Sequence, residues 1–203
     1  MSLNRRLLVT AATALALAPA AWAQTAMEVG GVKYEPTATV AGTKLQLNGA
    51  GVRYKAIFKV YTAGLYVANK TAEPDAIINS NGPRRMHIVM LREIDANELG
   101  KLFTKGMQDN ASRDDFSKSI PGTIKMGEIF AERKKLKEKD FFTIDYVPGV
   151  GTTISINGKA ANDPIKEPEF FKALMQIWLG GKPADGPLKD ALLGKPSTAN
   201  GQS

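Results

Sequence analysis

The chain contains no cysteine and a single histidine, His87. The first absence excludes a disulfide framework, a thiol nucleophile, a lipid-modified N-terminal cysteine and a thiolate-ligated zinc. The second confines any Ser-His-Asp triad to His87, which sits in the apolar run Arg85-Met-His-Ile-Val-Met-Leu91 and reads as a structural or surface histidine. A phosphate-binding loop is also missing. Gly149-Val-Gly151 has no Gly-Lys-Ser/Thr or third-glycine continuation, and with Pro148 it reads as the turn of a hairpin. The acid pair Asp114-Asp115 lies in polar helical sequence and reads as a cap, not as a glycosidase pair. Neither a metal nor any other cofactor is expected.

Long apolar runs are equally scarce. The longest, residues 7–18, falls short of the roughly 20 residues that cross a bilayer as a helix. It follows Arg5-Arg6 and precedes Ala21-Trp-Ala23, a small-x-small cleavage site, so residues 1–23 read as a secretory signal cut before Gln24. The export route is Sec or, given the arginine pair, twin-arginine. A periplasmic or secreted protein with no membrane anchor after cleavage is expected. Without Arg5 and Arg6, 25 basic residues face 20 acidic ones, a net of +5 over 180 residues. The basic residues are interleaved with acids, as in residues 131–140, which reads as a solvated helix end and argues against nucleic-acid binding. The mature length suits one domain, residues 24–194, followed by a frayed tail at 195–203.

Periodicity gives a coarse outline. Short strands are expected at residues 32–34 and 37–40, and an alternating one at 44–47 runs into a turn at Gly49-Ala-Gly51. A long strand, residues 57–67, follows, rich in β-branched and aromatic residues. A short helix at 72–79 and a buried strand at 85–91 come next. Asp95, with Glu98 three residues on, opens a helix with a capping-box-like start. A second helical region, 114–137, is interrupted at Pro121-Gly122. A hairpin pairs 141–147 with 152–156. Pro168 starts a helix that Gly180-Gly181 ends, and Pro187 a last short one to Leu193. Strands first and late, with helices between and after them, make an α+β pattern.

One pair of residues stands out for chemistry. Arg53 on the expected turn and Thr62 in the middle of the long strand would put a guanidinium beside a hydroxyl, a clamp for a carboxylate, carbonyl or phenolate oxygen. The plain alternative is an arginine on a solvated turn and a threonine in a core strand.

Gly49-x-Gly51-x-Arg53, followed by Lys59-Val-Tyr-Thr-Ala-Gly-Leu-Tyr66, resembles the core segment of the chalcone isomerase-like family, and more closely its exported bacterial branch. Asp145-Tyr-Val-Pro-Gly-Val-Gly-Thr152 with Asn157-Gly158 fits that branch. So does Phe170-Phe-x-Ala-Leu-Met-x-Ile-Trp-Leu-Gly180, followed by Asp185, Leu188 and Leu192-Leu-Gly194. The resemblance covers residues 28–194 and implies an open-faced β-sandwich: one long antiparallel sheet, a helical layer on one face, a short sheet on the other, and a ligand cleft between sheet and helices. It also implies that Arg53 steers an anionic oxygen and that Thr62 donates to the same region, with Gly64 leaving room for a ligand. The family's enzymes carry a helix tyrosine and a hydroxyl near the end of a later helix. Here residues 105–110 hold Lys105, Gln108 and Asn110 but no tyrosine, and the hydroxyl position is Ile177.

Three functions fit this reading. One is a non-catalytic pocket for a small amphipathic carboxylate such as a fatty acid, held by Arg53 and Thr62 and lined by Phe58, Leu102, Phe103 and Ile177. Another is an isomerase, an intramolecular lyase of chalcone isomerase type acting on an enone-like substrate, with Arg53 and Thr62 as its catalytic groups. The third is a structural or accessory periplasmic protein.

Overall fold

The computed structural model describes residues 25–195, so the expected signal and all but the first residue of the expected tail lie outside the described residues. The chain begins with a small hairpin, β1 (Met27–Val29) and β2 (Val32–Tyr34). It continues through β3 (Thr37–Val40), β4 (Thr43–Lys55) and β5 (Phe58–Val67). Then come α1 (Pro74–Ile78), β6 (Arg84–Met90), β7 (Ile94–Asp95), α2 (Ala96–Asn110), α3 (Arg113–Arg133) and β8 (Lys135–Leu136). The last elements are β9 (Phe141–Val147), β10 (Gly151–Ile156), β11 (Lys159–Ala160), α4 (Pro168–Leu179) and α5 (Gly186–Leu192).

Seven strands form one antiparallel sheet in the order β11-β10-β9-β6-β5-β4-β3. Alternation along β5 divides its side chains between two cores. Tyr61, Ala63, Leu65 and Val67 join the larger core under the helices, with Trp178, Phe103 and Phe142. Thr62, Gly64 and Tyr66 face the β1–β2 hairpin, whose Tyr34 donates to the Thr62 hydroxyl at 2.8 Å. This is the expected α+β arrangement, with helices on one face and a short sheet on the other.

The outline needs five corrections. Gly49 and Gly51 make no turn; they lie inside the continuous strand β4. They are glycine because α5 lies directly on them: a Cβ at Gly51 would stand 2.7 Å from the Ala191 Cβ, and one at Gly49 would overlap the Ala191 carbonyl. The turn comes at Ala56 and Ile57, so β5 starts at Phe58, and Ala56 takes a positive φ of 52°. Pro121 does not interrupt α3. Ser117, whose carbonyl loses its usual donor, is exposed, and Gly122 admits the Phe170 ring, which a Cβ would meet at 2.6 Å. Asp95 does cap α2, accepting from the Glu98 N–H at 3.0 Å, but the Glu98 carboxylate turns to Lys101 instead of closing a box. The basic run at 131–140 ends α3 and then supplies β8, where Leu136 is buried.

The close seat of α5 predicts that Gly51→Ala lowers stability by about 1–3 kcal/mol, the usual range for overpacking a filled site. Urea or thermal unfolding measures it.

Candidate functional site

The helices α2 and α4 do not close completely on the sheet. Between them and the ends of β4 and β5 lies a cavity of about 270 Å³, whose wall includes Arg53, Tyr61, Leu99, Phe103, Gly106 and Ile177. Its mouth is ringed by Lys55, Leu102, Lys105, Asp109 and Lys182. Gly106 matters to its floor: a Cβ there would stand 3.1 Å from the Ile177 side chain, so the glycine lets α2 and α4 approach closely. The loop from Gly180 to Asp185 forms one wall and is tied down. Asn110 donates to the Lys182 carbonyl at 2.9 Å and accepts from the Lys182 N–H at 2.7 Å, and Lys189 donates to the Gly180 carbonyl at 2.8 Å.

The register of β4 on β5 determines the polar end. Lys55 faces Phe58 and Tyr54 faces Lys59, but Arg53 then faces Tyr61, leaving Val60 as an extra residue in β5. Arg53 and Tyr61 therefore share the helical face. Beneath them, the Trp178 indole N–H donates to the Tyr61 hydroxyl oxygen at 2.9 Å. With that oxygen occupied as an acceptor, the phenolic proton remains as a donor for a guest in the cavity. Asp185 fixes the neighbouring backbone. One carboxylate oxygen accepts from the Tyr54 N–H at 2.8 Å and the other from the Leu188 N–H at 2.9 Å, capping α5, while the Arg53 guanidinium donates to the Tyr54 carbonyl. Burial pushes the Tyr61 hydroxyl up to about 12, against the lowering pull of Trp178 and the Arg53 guanidinium. At neutral pH it is therefore a proton donor and not a base.

The expected site residues separate. Arg53, Leu102, Phe103 and Ile177 come together at the cavity. Thr62 does not: it lies on the opposite face of the sheet, buried against Tyr34, so no Arg53–Thr62 clamp forms. The same Tyr34 ring fills the space above Gly64, where a Cβ would overlap it, so no ligand approaches there. Phe58 is 56% exposed outside the cavity, beneath Arg92, whose guanidinium lies 5.3 Å from its ring centre. Lys105 reaches the mouth, where it pairs with Asp109 at 2.9 Å. Gln108 lines a separate hollow between α2 and α3, and Asn110 holds the wall loop. His87 is wedged edge-on between Tyr34 and Phe141, away from the cavity, and burial lowers its pKa. Among the described residues no group of acids and histidine is arranged to hold a metal ion, and no helix is long and apolar enough to cross a membrane.

A family model described as chalcone isomerase-like matches residues 26–194. The chain belongs to the chalcone isomerase-like family. Its fold is also that of a solved structure, a fatty-acid binding protein of Arabidopsis thaliana, with a TM-score of 0.65 at 14% identity over 80% of this chain and 92% of that one. No curated protein matches the sequence.

Within this chalcone isomerase-like chain, Tyr61 is the site residue that sequence reasoning passed over. It stands beside Thr62 in the motif that carried the resemblance, and period-two alternation would have flagged it had the bulge at Val60 been known. Lys55 and Lys182 were hidden for another reason. Both are ordinary surface lysines until the fold brings the end of β4 and the 180–185 loop to one mouth.

Two outcomes follow for the tyrosines. Tyr61→Phe leaves the buried Trp178 N–H without an acceptor and should cost about 1–3 kcal/mol in chemical denaturation. Tyr61 and Tyr66 are both raised from 10.0 to about 12, and Tyr34 is raised as well, each mainly by burial. The folded state thus holds these protons more tightly than the unfolded state does. That stabilisation is complete below pH 10 and is lost as pH rises through about 12. Thermal midpoints should be insensitive to tyrosine ionisation up to pH 10 and fall above it, less steeply in Tyr61→Phe.

Proposed function

We propose that the protein is an exported, non-catalytic binder of a small amphipathic carboxylate such as a fatty acid, working in the periplasm or after secretion. The observation that carries this reading is that Arg53 and Tyr61 stand opposite one another in the sheet and line one cavity together with the apolar Leu99, Phe103 and Ile177. A carboxylate there takes a charge-assisted bond from the guanidinium and a second from the phenol, while Phe103, Leu99 and Ile177 receive the apolar part. Lys55 and Lys182 at the mouth favour an anion on the way in. The volume lies just below the roughly 300–1,000 Å³ of usual ligand sites, so the guest is short or leaves its far end in the mouth.

Thr62 stands on the far face of the sheet from Arg53, which favours binding over an isomerase that needs both groups at one oxygen. Among the described lining residues Asp109 is the one carboxylate, and it is held by Lys105. The Arabidopsis protein of the same fold is named for binding fatty acids, which agrees with this assignment. Placement in the exported branch of the family rests on the residue 1–23 signal and the hairpin and helix motifs. In this reading Thr62 acts through packing against Tyr34 and not by touching the ligand.

Mass spectrometry of an organic extract of the purified protein should show a copurifying fatty acid. In titration with laurate, Arg53→Gln should bind about 10–100-fold more weakly, the loss expected for a hydrogen bond to a charged group. An extract without lipid, together with no saturable laurate binding, would refute the assignment. Ring closure of a chalcone faster with protein than without it would replace binding by isomerase activity. For export, N-terminal sequencing of the mature protein should begin at Gln24; a retained Met1 would overturn cleavage.

A further inference from the structure

The β4–β5 hairpin runs on past the sheet. The pairing of β5 with β6 stops at Tyr61 and that of β3 with β4 stops at Gln46, so the tip from Tyr54 to Lys59 has strand partners only within itself. That tip is unusually apolar for something so exposed: Ile57 is 84% exposed, Phe58 56% and Tyr54 39%. Isolated exposed apolar residues are ordinary, but several on one projecting arm mark a contact surface. Leu102 of α2, 45% exposed, shares a surface hollow with Phe58 and extends the patch to the mouth of the cavity.

Among the described residues the cations around the tip, Lys55, Lys59, Arg92 and Lys182, are free of ion pairs, while the acids beside it are engaged. Glu93 pairs with Lys135, Glu98 with Lys101, and Asp95 caps α2. The register adds a geometric constraint. Tyr54 pairs with Lys59 and Phe58 with Lys55, so the two aromatic rings lie on opposite faces of the hairpin with Ile57 at its turn. A flat protein surface covers only one face of such an arm. The hydrocarbon boundary of a bilayer surrounds both, and its anionic headgroups meet the basic collar.

We propose that this hairpin tip docks the protein on an anionic lipid bilayer, with Ile57, Phe58 and Tyr54 entering the interface and Lys55, Lys59 and Arg92 contacting headgroups. Because Lys55 and Leu102 belong both to this patch and to the cavity mouth, docking sets the mouth against the lipid. The purpose of that placement, transfer of an amphipathic ligand without passage through water, rests on the binding function proposed above; the docking itself does not.

The test is flotation of the mature protein, residues 24–203, with vesicles of phosphatidylglycerol and phosphatidylcholine in equal parts, and with vesicles of phosphatidylcholine alone. Binding is expected to the first and much less to the second, and to fall with added salt. Replacing both Ile57→Ser and Phe58→Ser, which removes two exposed side chains and leaves the cavity intact, should weaken binding by at least about tenfold. The pair Lys59→Gln and Arg92→Gln should weaken it and flatten the salt dependence. Circular dichroism melts verify that each variant stays folded, and Ile57→Trp should shift its emission to the blue on the anionic vesicles. No flotation with anionic vesicles overturns docking, as does flotation that survives Ile57→Ser with Phe58→Ser. A dimer that the same double variant dissolves, without flotation, overturns it in favour of self-association. Arg53→Gln separates the two proposals: it should lose laurate yet still float. Laurate binding without flotation leaves the cavity assignment standing and removes this one.

Discussion

A single extra residue in β5, Val60, decides which side chains of the first long hairpin face the helices. Without the bulge, Arg53 would stand opposite Val60 and share a face with Thr62. With it, Arg53 stands opposite Tyr61, and the guanidinium meets a phenol instead of a threonine. Side chains on a strand repeat every two residues, so a slip of one moves a residue from one core to the other. A second bulge, at Asn48 in β4, accompanies a different tie: its side chain bonds the Leu192 carbonyl at 2.7 Å, the Thr71 carbonyl at 3.0 Å and the Thr71 N–H at 2.9 Å. The two irregularities frame the stretch of β4 on which α5 lies.

The cavity is a consequence of where close packing is permitted and where it stops. Glycine at 49 and 51 seats α5, glycine at 106 seats α4 against α2, and Gly122 seats Phe170 in the groove of α3. Beyond Gly106 and the pinned loop at 180–185 the layers part, and the gap receives Arg53 and Tyr61 from the sheet. On the opposite side of the core a second guanidinium shows what the same residue does where there is no cavity. Arg84 is buried, donates to the Ile77 and Ile78 carbonyls at 2.6 and 2.7 Å, and lies over the rings of Tyr146 and Phe171; burial lowers its pKa to about 10. Its Nη1 donors are spent on the end of α1, and its buried Nε has no partner among the described residues. The donors of Arg53 are spent only in part, on a carbonyl at the rim.

Much of the architecture was legible in the sequence because it follows from local rules. The 141–156 hairpin, the Pro168 start and Gly180 stop of α4, and the Asp95 cap of α2 each depend on neighbouring residues alone. What misled was glycine. Gly49 and Gly51 read as a turn because turns are the commonest local reason for paired glycines, whereas here a helix 140 residues later in the chain demanded them. Thr62 is a second case: its hydroxyl is taken by Tyr34 of the small opening hairpin, 28 residues earlier, and not by Arg53.

By itself the sequence determined the α+β class, the family to which residues 26–194 belong, and the place of Arg53 in the motif that carries it. These rest on composition, periodicity and motif, which are properties of the chain as written. The partner of that arginine, the faces taken by Thr62 and Phe58, and the gathering of Lys55 and Lys182 at one mouth were decided only by tertiary structure. A strand bulge and the seating of helices on glycines are settled by what packs from far away, and that information is not local.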